Sequence, residues 1–366
     1  MSMKFTTITL QYNMCRLGLL AWVCVFVILI NFGNLATAGS RDISENLRNS
    51  LTITERYTIP IAELSGLTMA INSAKKTRGE ISLYAVGDAS YEVAHIRINT
   101  SLGDAGVQPI IHLYDLQNVI SNQHIKDASQ WEAVATDGNG TACMLNETSS
   151  ELSCFDHSFQ NNRGNFTLDV SSIRNLNLTW EEQPNSRGEG MILMKKGHVL
   201  ILKEKKPSML IEFGPEGALP MGYDMTTFLN VGDTFTGLNV DKSKLSDRLN
   251  QPIPSPTRLV ALKTWQFSKH LSKLAKDASE IIVGPDKRVY LLSQESSTLC
   301  RLEKTLKPNE DKVTIDHDAC WKLPAEIDKA EGMVIDELMN PWIGIDIKDT
   351  SKQNLFRLSP ISAALE

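Results

Sequence analysis

Ten acidic residues recur in a pattern that could hold a cation. Glu63, Glu132, Glu189, Glu280 and Glu331 each open a short apolar run, and each has a second acid further on: Asp88, Glu147, Glu204, Glu295 and Asp346. In four of the five pairs the offset is fifteen residues, about the length of one hairpin of two short strands. The acids of a pair then lie side by side at the hairpin's open end, with Cα atoms about 5 Å apart. Like charges opposite one another destabilise a sheet, so a chain that repeats the arrangement unit after unit has some offsetting factor. A ring of carboxylates suits Ca²⁺, which takes about six to eight oxygen ligands at ~2.3–2.6 Å. The competing reading is inheritance, in which a duplicated unit copies its acids whether or not they are used.

Other chemistry is sparse. The chain holds no Gly-x-Ser-x-Gly elbow, no Walker loop, no His-Glu-x-x-His and no complete Gly-x-Gly-x-x-Gly. The seven histidines are scattered. His198 reads as a solvated turn residue, and nothing in the sequence pairs His95 or His112. The run Lys203-Glu204-Lys205-Lys206-Pro207 reads as an exposed charged loop, and Trp131 either walls a channel mouth or packs between units. Net charge is −6 for the whole chain; residues 1–38 hold Lys4, Arg16 and no acid, so the remainder carries −8. No basic run is large enough for a nucleic-acid footprint.

Positioning the acids requires a repeated element. Glu189–Met194, the turn Lys195–His198 and Val199–Glu204 read as two short buried strands joined tightly. The same shape begins at Glu63, Glu132, Glu280 and Glu331. Third strands follow at His95–Ile98, Leu152–Phe155, Met209–Phe213, Leu299–Leu302 and Leu355–Leu358. Three or four antiparallel strands per unit, repeating at roughly fifty residues, predict an all-β fold, a β-propeller. The starts leave one double-length gap. Residues 215–275 are therefore expected to hold a degenerate blade, giving six; the alternative is five blades and an insertion. The last blade stops after its third strand, and Arg56–Pro60 is expected to supply the fourth and close the ring, with Pro60 at an edge.

The first residues read as a targeting segment. An apolar run from Leu17 to Phe32 follows Lys4 and Arg16 and precedes Ala36-Thr37-Ala38. Two outcomes remain open, cleavage after Ala38 or an uncleaved anchor attaching the chain to a membrane through residues 17–38. Either places the chain outside the cytoplasm: periplasmic, secreted or membrane-anchored. Residues 39–54 read as a polar spacer and 55–360 as the propeller. Four cysteines remain beyond the segment. They allow three pairings, of which the local pairs Cys143–Cys154 and Cys300–Cys320 are favoured, each flanking a turn-like stretch.

The repeats resemble the SdiA-regulated family of exported six-bladed propellers. The likeness rests on Glu63-Leu64-Ser65-Gly66-Leu67, Glu189-Gly190-Met191, Lys203-Glu204-Lys205-Lys206-Pro207, Leu291-Leu292-Ser293-Gln294-Glu295-Ser296 and Lys329-Ala330-Glu331-Gly332-Met333. It implies a propeller outside the cytoplasm and supplies no activity. More loosely, the Glu-opened blades resemble phytase-like esterase and calcium-dependent lactonase propellers, in which such a Glu ligates calcium in the channel. The expectation is an exported propeller binding a divalent cation, a small ligand or a protein partner at an acid-rich mouth. The alternative is a calcium-dependent hydrolase of phosphoesters, esters or lactones. A third is a scaffold whose acids only keep it soluble.

Overall fold

Short apolar runs bounded by turn residues become strands throughout the computed structural model. It describes residues 47–48, 50–71, 79–100, 108–120, 128–182, 186–205, 207–235, 257–308 and 313–361. The expected targeting segment lies outside the described residues. Among the described residues no helix is long and apolar enough to cross a membrane.

From Arg48 onward the chain forms one compact unit whose strands group into five four-stranded antiparallel blades, the second and third joined in one continuous sheet. The first is Leu64–Met69, Glu80–Gly87, Glu92–Asn99 and Ile110–Asp115. The second is Trp131–Thr136, Ala142–Asn146, Glu151–Phe155 and Asn162–Asp169. The third is Gly190–Leu193, Val199–Lys203, Met209–Pro215 and Thr257–Phe267. The fourth is Ala278–Val283, Val289–Ser293, Thr298–Leu302 and His317–Lys322. The fifth is Ala330–Ile335, Pro341–Ile345 and Leu355–Leu358, completed by Ile53–Tyr57.

The innermost strands of successive sheets pack on one another in turn, and the fifth returns to the first. The fold is an all-β propeller. Its apolar clusters lie between blades. Leu145 and Ile201 meet between the second and third, Leu292 and Met333 between the fourth and fifth, and Leu67 and Val334 between the fifth and first.

The ring closes with five blades, which corrects the expected six. Among the described residues the gap holds one strand, Thr257–Phe267. Thr257–Phe267 pairs with Met209–Pro215 as the outer strand of blade three, and also runs parallel to the outer strand of blade two from Phe166↔Thr257 to Asp169↔Val260. Residues 216–235 form turns pinned by polar contacts. Glu212 accepts hydrogen bonds from the amides of Met221 (2.7 Å) and Gly222 (2.9 Å). The alternative of five blades plus an insertion is the one the chain adopts.

Ring closure occurs as expected. Ile53–Tyr57 pairs antiparallel with Leu355–Leu358, from Ile53↔Leu358 to Tyr57↔Leu355, and Arg357 Nη1 meets Glu55 Oε1 at 2.6 Å. The strand starts at Ile53 and ends before Pro60, so the last two residues assigned to the spacer belong to the blade.

Both local disulfides form, between register neighbours: Cys143–Cys154 joins the second and third strands of blade two, and Cys300–Cys320 the third and fourth of blade four. They are consistent with folding in an oxidising compartment. Each closes a short loop, and the chain-entropy account gives about 3 kcal/mol apiece. Replacing Cys143 and Cys154 together by Ser is expected to cost about 3 kcal/mol in urea unfolding. A loss below about 0.5 kcal/mol would show that blade two needs no cross-link.

Candidate functional site: the acid-lined mouth

The residue that enters each blade sets where the acids go. Glu63, Gln130, Asp277 and Lys329 all adopt positive φ, at 50°, 55°, 51° and 54°. A register shift follows in each case: between Leu64 and Gly66, Trp131 and Ala133, Ala278 and Glu280, Ala330 and Gly332. This is a β-bulge, which inserts one unpaired residue and re-aims its side chain. The bulged residues are Ser65, Glu132, Ser279 and Glu331. In blade three Glu189 holds the same place, its amide donating to Leu202 O just before Gly190 pairs with Leu202.

Three of the five predicted opening glutamates therefore share one position, and two do not. Glu63 is the positive-φ residue two places earlier, where it meets Lys348 at 3.2 Å. Glu280 stands one place later. Serines occupy the vacated positions and tie neighbouring blades, Ser65 Oγ donating to Trp131 O and Ser279 Oγ to Ala330 O (2.8 Å).

The second set follows the same logic. Asp88, Glu147, Glu204 and Asp346 each follow the last residue of a second strand. In blade four that place belongs to Gln294, whose Nε2 donates to Glu331 Oε1 at 3.0 Å. Glu295 is exposed and lies 3.6 Å from Lys276. The fifteen-residue rule holds in blade four when counted from Ser279, and the sequence alone could not show that Glu280 lies past the bulge.

The mouth thus gathers Glu132, Glu189 and Glu331 with Asp88, Glu147, Glu204 and Asp346. Three of the four outer acids have partners, while Asp88 Oδ1 is buried without a hydrogen-bond partner. Lys205 Nζ lies 2.5 Å from Glu204 and 3.1 Å from Asp277, Lys329 lies 2.7 Å from Asp346, and the Arg187 amide donates to Glu147 at 3.0 Å. Among the described residues none of Glu132, Glu189 and Glu331 sits in an ion pair. Burial pushes all three carboxyls up, helped by neighbouring acids: Glu147 and Asp88 on Glu132, Glu132 and Glu147 on Glu189, Asp346 and Asp88 on Glu331, which reaches about 8. Burial also raises Glu204 to about 7 and Asp88 to about 6.

Glu280 does different work. Its bulge-adjacent position is Gly66, Ala133, Gly190 and Gly332 in the other blades, where the strands approach too closely for a large side chain. A Cβ on Gly66 would lie 2.9 Å from Val134 N, and one on Gly190 would lie 2.5 Å from Ile281 N. Glu280 lies across the axis instead. Its carboxyl accepts from the Ile281 amide at 2.9 Å, and the backbone of Leu67 and Met191, from two other blades, offsets part of the cost of its burial. It is 1% exposed, burial raises its pKa, and Oε2 is buried without a hydrogen-bond partner. It is therefore no part of an acid ring at the mouth. At the other end of the inner strands lies a cavity of about 210 Å³ lined by Leu67, Val134, Met191, Ile282 and Val334, with Phe228 of the insertion against it.

Three further readings change, and one of the two alternatives for Trp131 is selected. His198 is buried, its Nδ1 2.7 Å from Glu212 Oε1, because the turn is covered by the insertion. Lys203 is fully buried in a strand, with burial lowering its pKa, and donates to Lys205 O. Trp131 is buried edge-on against Tyr91 at 5.4 Å and packs between blades. His95 and His112 face each other across two strands of blade one.

Residues 103–227 match the SdiA-regulated family model. The resemblance read from the repeat motifs is borne out on this stretch, which contains blade two and most of blade three. No curated protein matches the chain in sequence. Among solved structures, a streptogramin B lyase is 8% identical, covering 84% of this chain and 97% of its own, with a TM-score of 0.41. Virginiamycin B lyase from Staphylococcus aureus is 10% identical over 86% of this chain and 89% of its own, with a TM-score of 0.36. A luciferin-regenerating enzyme is 8% identical over 82% and 78%, with a TM-score of 0.38. Likeness at this level carries no argument about activity.

An acid whose pKa is raised by folding binds its proton more tightly in the folded chain. Its contribution to stability is present below the unfolded value and is lost as pH rises through the folded value. For Asp88, Glu204 and Glu331 the raised values of about 6, 7 and 8 place that loss between roughly pH 5 and pH 8. Without added divalent ion, the unfolding temperature is expected to fall from pH 5 to pH 8.5. Glu331→Gln is expected to flatten the fall and to raise the midpoint at pH 8 while changing it little at pH 5. Equal destabilisation at both pH values would mean that Glu331 bears no such strain.

Proposed function

We propose that this chain is an exported propeller that binds a hard divalent cation, calcium in kind, at the acid-lined mouth. One observation carries the reading: Glu132, Glu189 and Glu331 converge from three blades, partly buried, with no cation paired to them among the described residues. Burying carboxylates together costs free energy unless something neutralises them. The blade repeat supplies the position, but Ser65 and Ser279 are also tolerated there, so the glutamates are not required for packing. Export is supported by the two disulfides and by the targeting pattern of the first residues.

The donor set fits such an ion in kind, being all oxygen. In spacing the carboxylates must close in. Among the described residues the one group of three whose ligand atoms lie within 4.8 Å of one another is elsewhere, at His270, Asp316 and His317. The mouth residues that would hold the ion are Glu132, Glu189 and Glu331, with Asp88, Glu147, Glu204 and Asp346 reached through water or by side-chain rotation. Gln294 keeps Glu331 oriented from the fourth blade.

A hydrolase is the narrower form of the same reading, favoured by Lys203. This lysine is buried, and the charges of Glu204, Glu147 and Glu189 act on it. A bound dication would polarise a substrate oxygen. Lys203 would then supply positive charge beneath the mouth, and direct contact with an anionic substrate would require release of its bond to Lys205 O.

Thermal unfolding of the full chain with Ca²⁺ and with EDTA at pH 8 tests the reading. Calcium is expected to raise the midpoint by several degrees, and Glu189→Gln and Glu331→Gln to abolish the shift. If calcium shifts wild type and both variants alike, or none of them, the mouth is not a cation site. A calcium response in Lys203→Met together with loss of turnover on a phosphoester and lactone panel would support the hydrolase. No turnover in the wild type would leave a binding protein.

A further inference from the structure

We propose that His270, Asp316 and His317 form a second cation site, on the rim of the ring, for a transition-metal dication of the zinc class. The three come from two separate segments of the fold. His317 begins the outermost strand of blade four, Asp316 precedes it, and His270 lies on the link from blade three to blade four. Each offers a ligand atom, and the three atoms lie within 4.8 Å of one another. His317 Nδ1 and Asp316 Oδ1 are 2.8 Å apart, and the two imidazole rings stand edge to face at 5.1 Å.

Backbone contacts bring the segments together without help from the three side chains. Gln266 and Phe267 pair in parallel with Thr314 and Ile315. The Ser268 amide then donates to Ile315 O at 2.8 Å, and Ser268 Oγ accepts from the Leu271 amide at 3.0 Å, which sets the turn carrying His270. On the other side Asp316 and Glu303 bond reciprocally, the Asp316 amide to Glu303 Oε1 at 2.7 Å and the Glu303 amide to Asp316 O at 3.0 Å. Two of the three donors are thus held by a framed backbone. His270 is exposed, its ring edge to face against that of His317.

The donor chemistry selects the ion. Two imidazole nitrogens and one carboxylate oxygen are the ligands of zinc and its first-row neighbours, at about 2.0–2.2 Å, whereas calcium takes oxygen. Tetrahedral ligands at that distance stand roughly 3.3 Å apart, so the group closes by a small inward movement of His270. The ion replaces the proton between His317 Nδ1 and Asp316 Oδ1, which passes to solvent. Three protein ligands leave a fourth position for water. Bound there, the ion staples the blade-three link to the edge of blade four. An edge contact between two histidines with a capping aspartate is the plainer account of the same geometry, and it predicts no metal uptake.

Cobalt is the probe, because its visible absorption reports the ligand geometry. The full chain, free of any histidine tag and stripped with EDTA, is titrated with Co²⁺ and then with Zn²⁺ or Ca²⁺. One cobalt per chain with tetrahedral absorption is expected, displaced by zinc and unaffected by calcium. His270→Ala and His317→Asn are expected to weaken uptake at least about tenfold, since even outer partners of a ligand cost about 10–100-fold. Saturating Ca²⁺ should leave the tetrahedral absorption unchanged, which separates this site from the mouth. Absence of cobalt uptake, or an unaltered spectrum in His270→Ala, overturns the proposal. Because His270 is exposed, that variant decides the question even if His317→Asn does not fold.

Discussion

Five inner strands packed around one axis leave almost no space between their backbones, and the rest of the structure answers to that constraint. In four of the five blades the residue just past the bulge is Gly or Ala, because a Cβ on Gly66 or Gly190 already meets the backbone of the next blade. The bulge itself throws the preceding side chain toward the open end. Crowding at the axis and a ring of outward-aimed side chains at the mouth are two consequences of one local geometry. Where that side chain is Ser it ties neighbouring blades together; where it is Glu it adds charge to a partly buried opening.

Glu280 shows what the axis itself can hold. It occupies the one bulge-adjacent place not filled by Gly or Ala, its carboxyl accepting from the Ile281 amide while Oε2 is buried without a partner. The channel is thereby divided. Acids line one end, and an apolar cavity covered by the 216–235 insertion lies at the other. The insertion is held by His198 and Glu212, whose buried pair would be costly to leave unsatisfied. It thus covers one end of the channel, while the acids at the other remain partly accessible.

Much of the fold was legible in the residues. Hairpins separated by turn signals marked the blades, the missing fourth strand of the last blade marked ring closure, and the cysteine spacing marked both disulfides. Blade number was not legible. The long stretch between Phe213 and Glu280 has room for a blade, and only strand pairing reveals that Thr257–Phe267 joins blade three. In the candidate site, Glu132, Glu189 and Glu331 were legible because their bulge follows the repeat. Glu63 stands at the positive-φ entry to its blade, two places before the bulge, whereas Glu280 and Glu295 each lie one place past the position that the repeat marks. A bulge shifts register by one residue, and a shift of one residue turns a side chain to another face.

The amino-acid sequence by itself determined the strand content, the blade repeat and the local cysteine pairs, because these depend on short-range apolar periodicity and turn chemistry. Only the tertiary structure decided which carboxylates meet, that Lys203 and His198 are buried, and that His270 comes to stand beside Asp316 and His317. Those outcomes depend on packing between residues far apart in the chain, where a shift of one residue or one blade changes every neighbour.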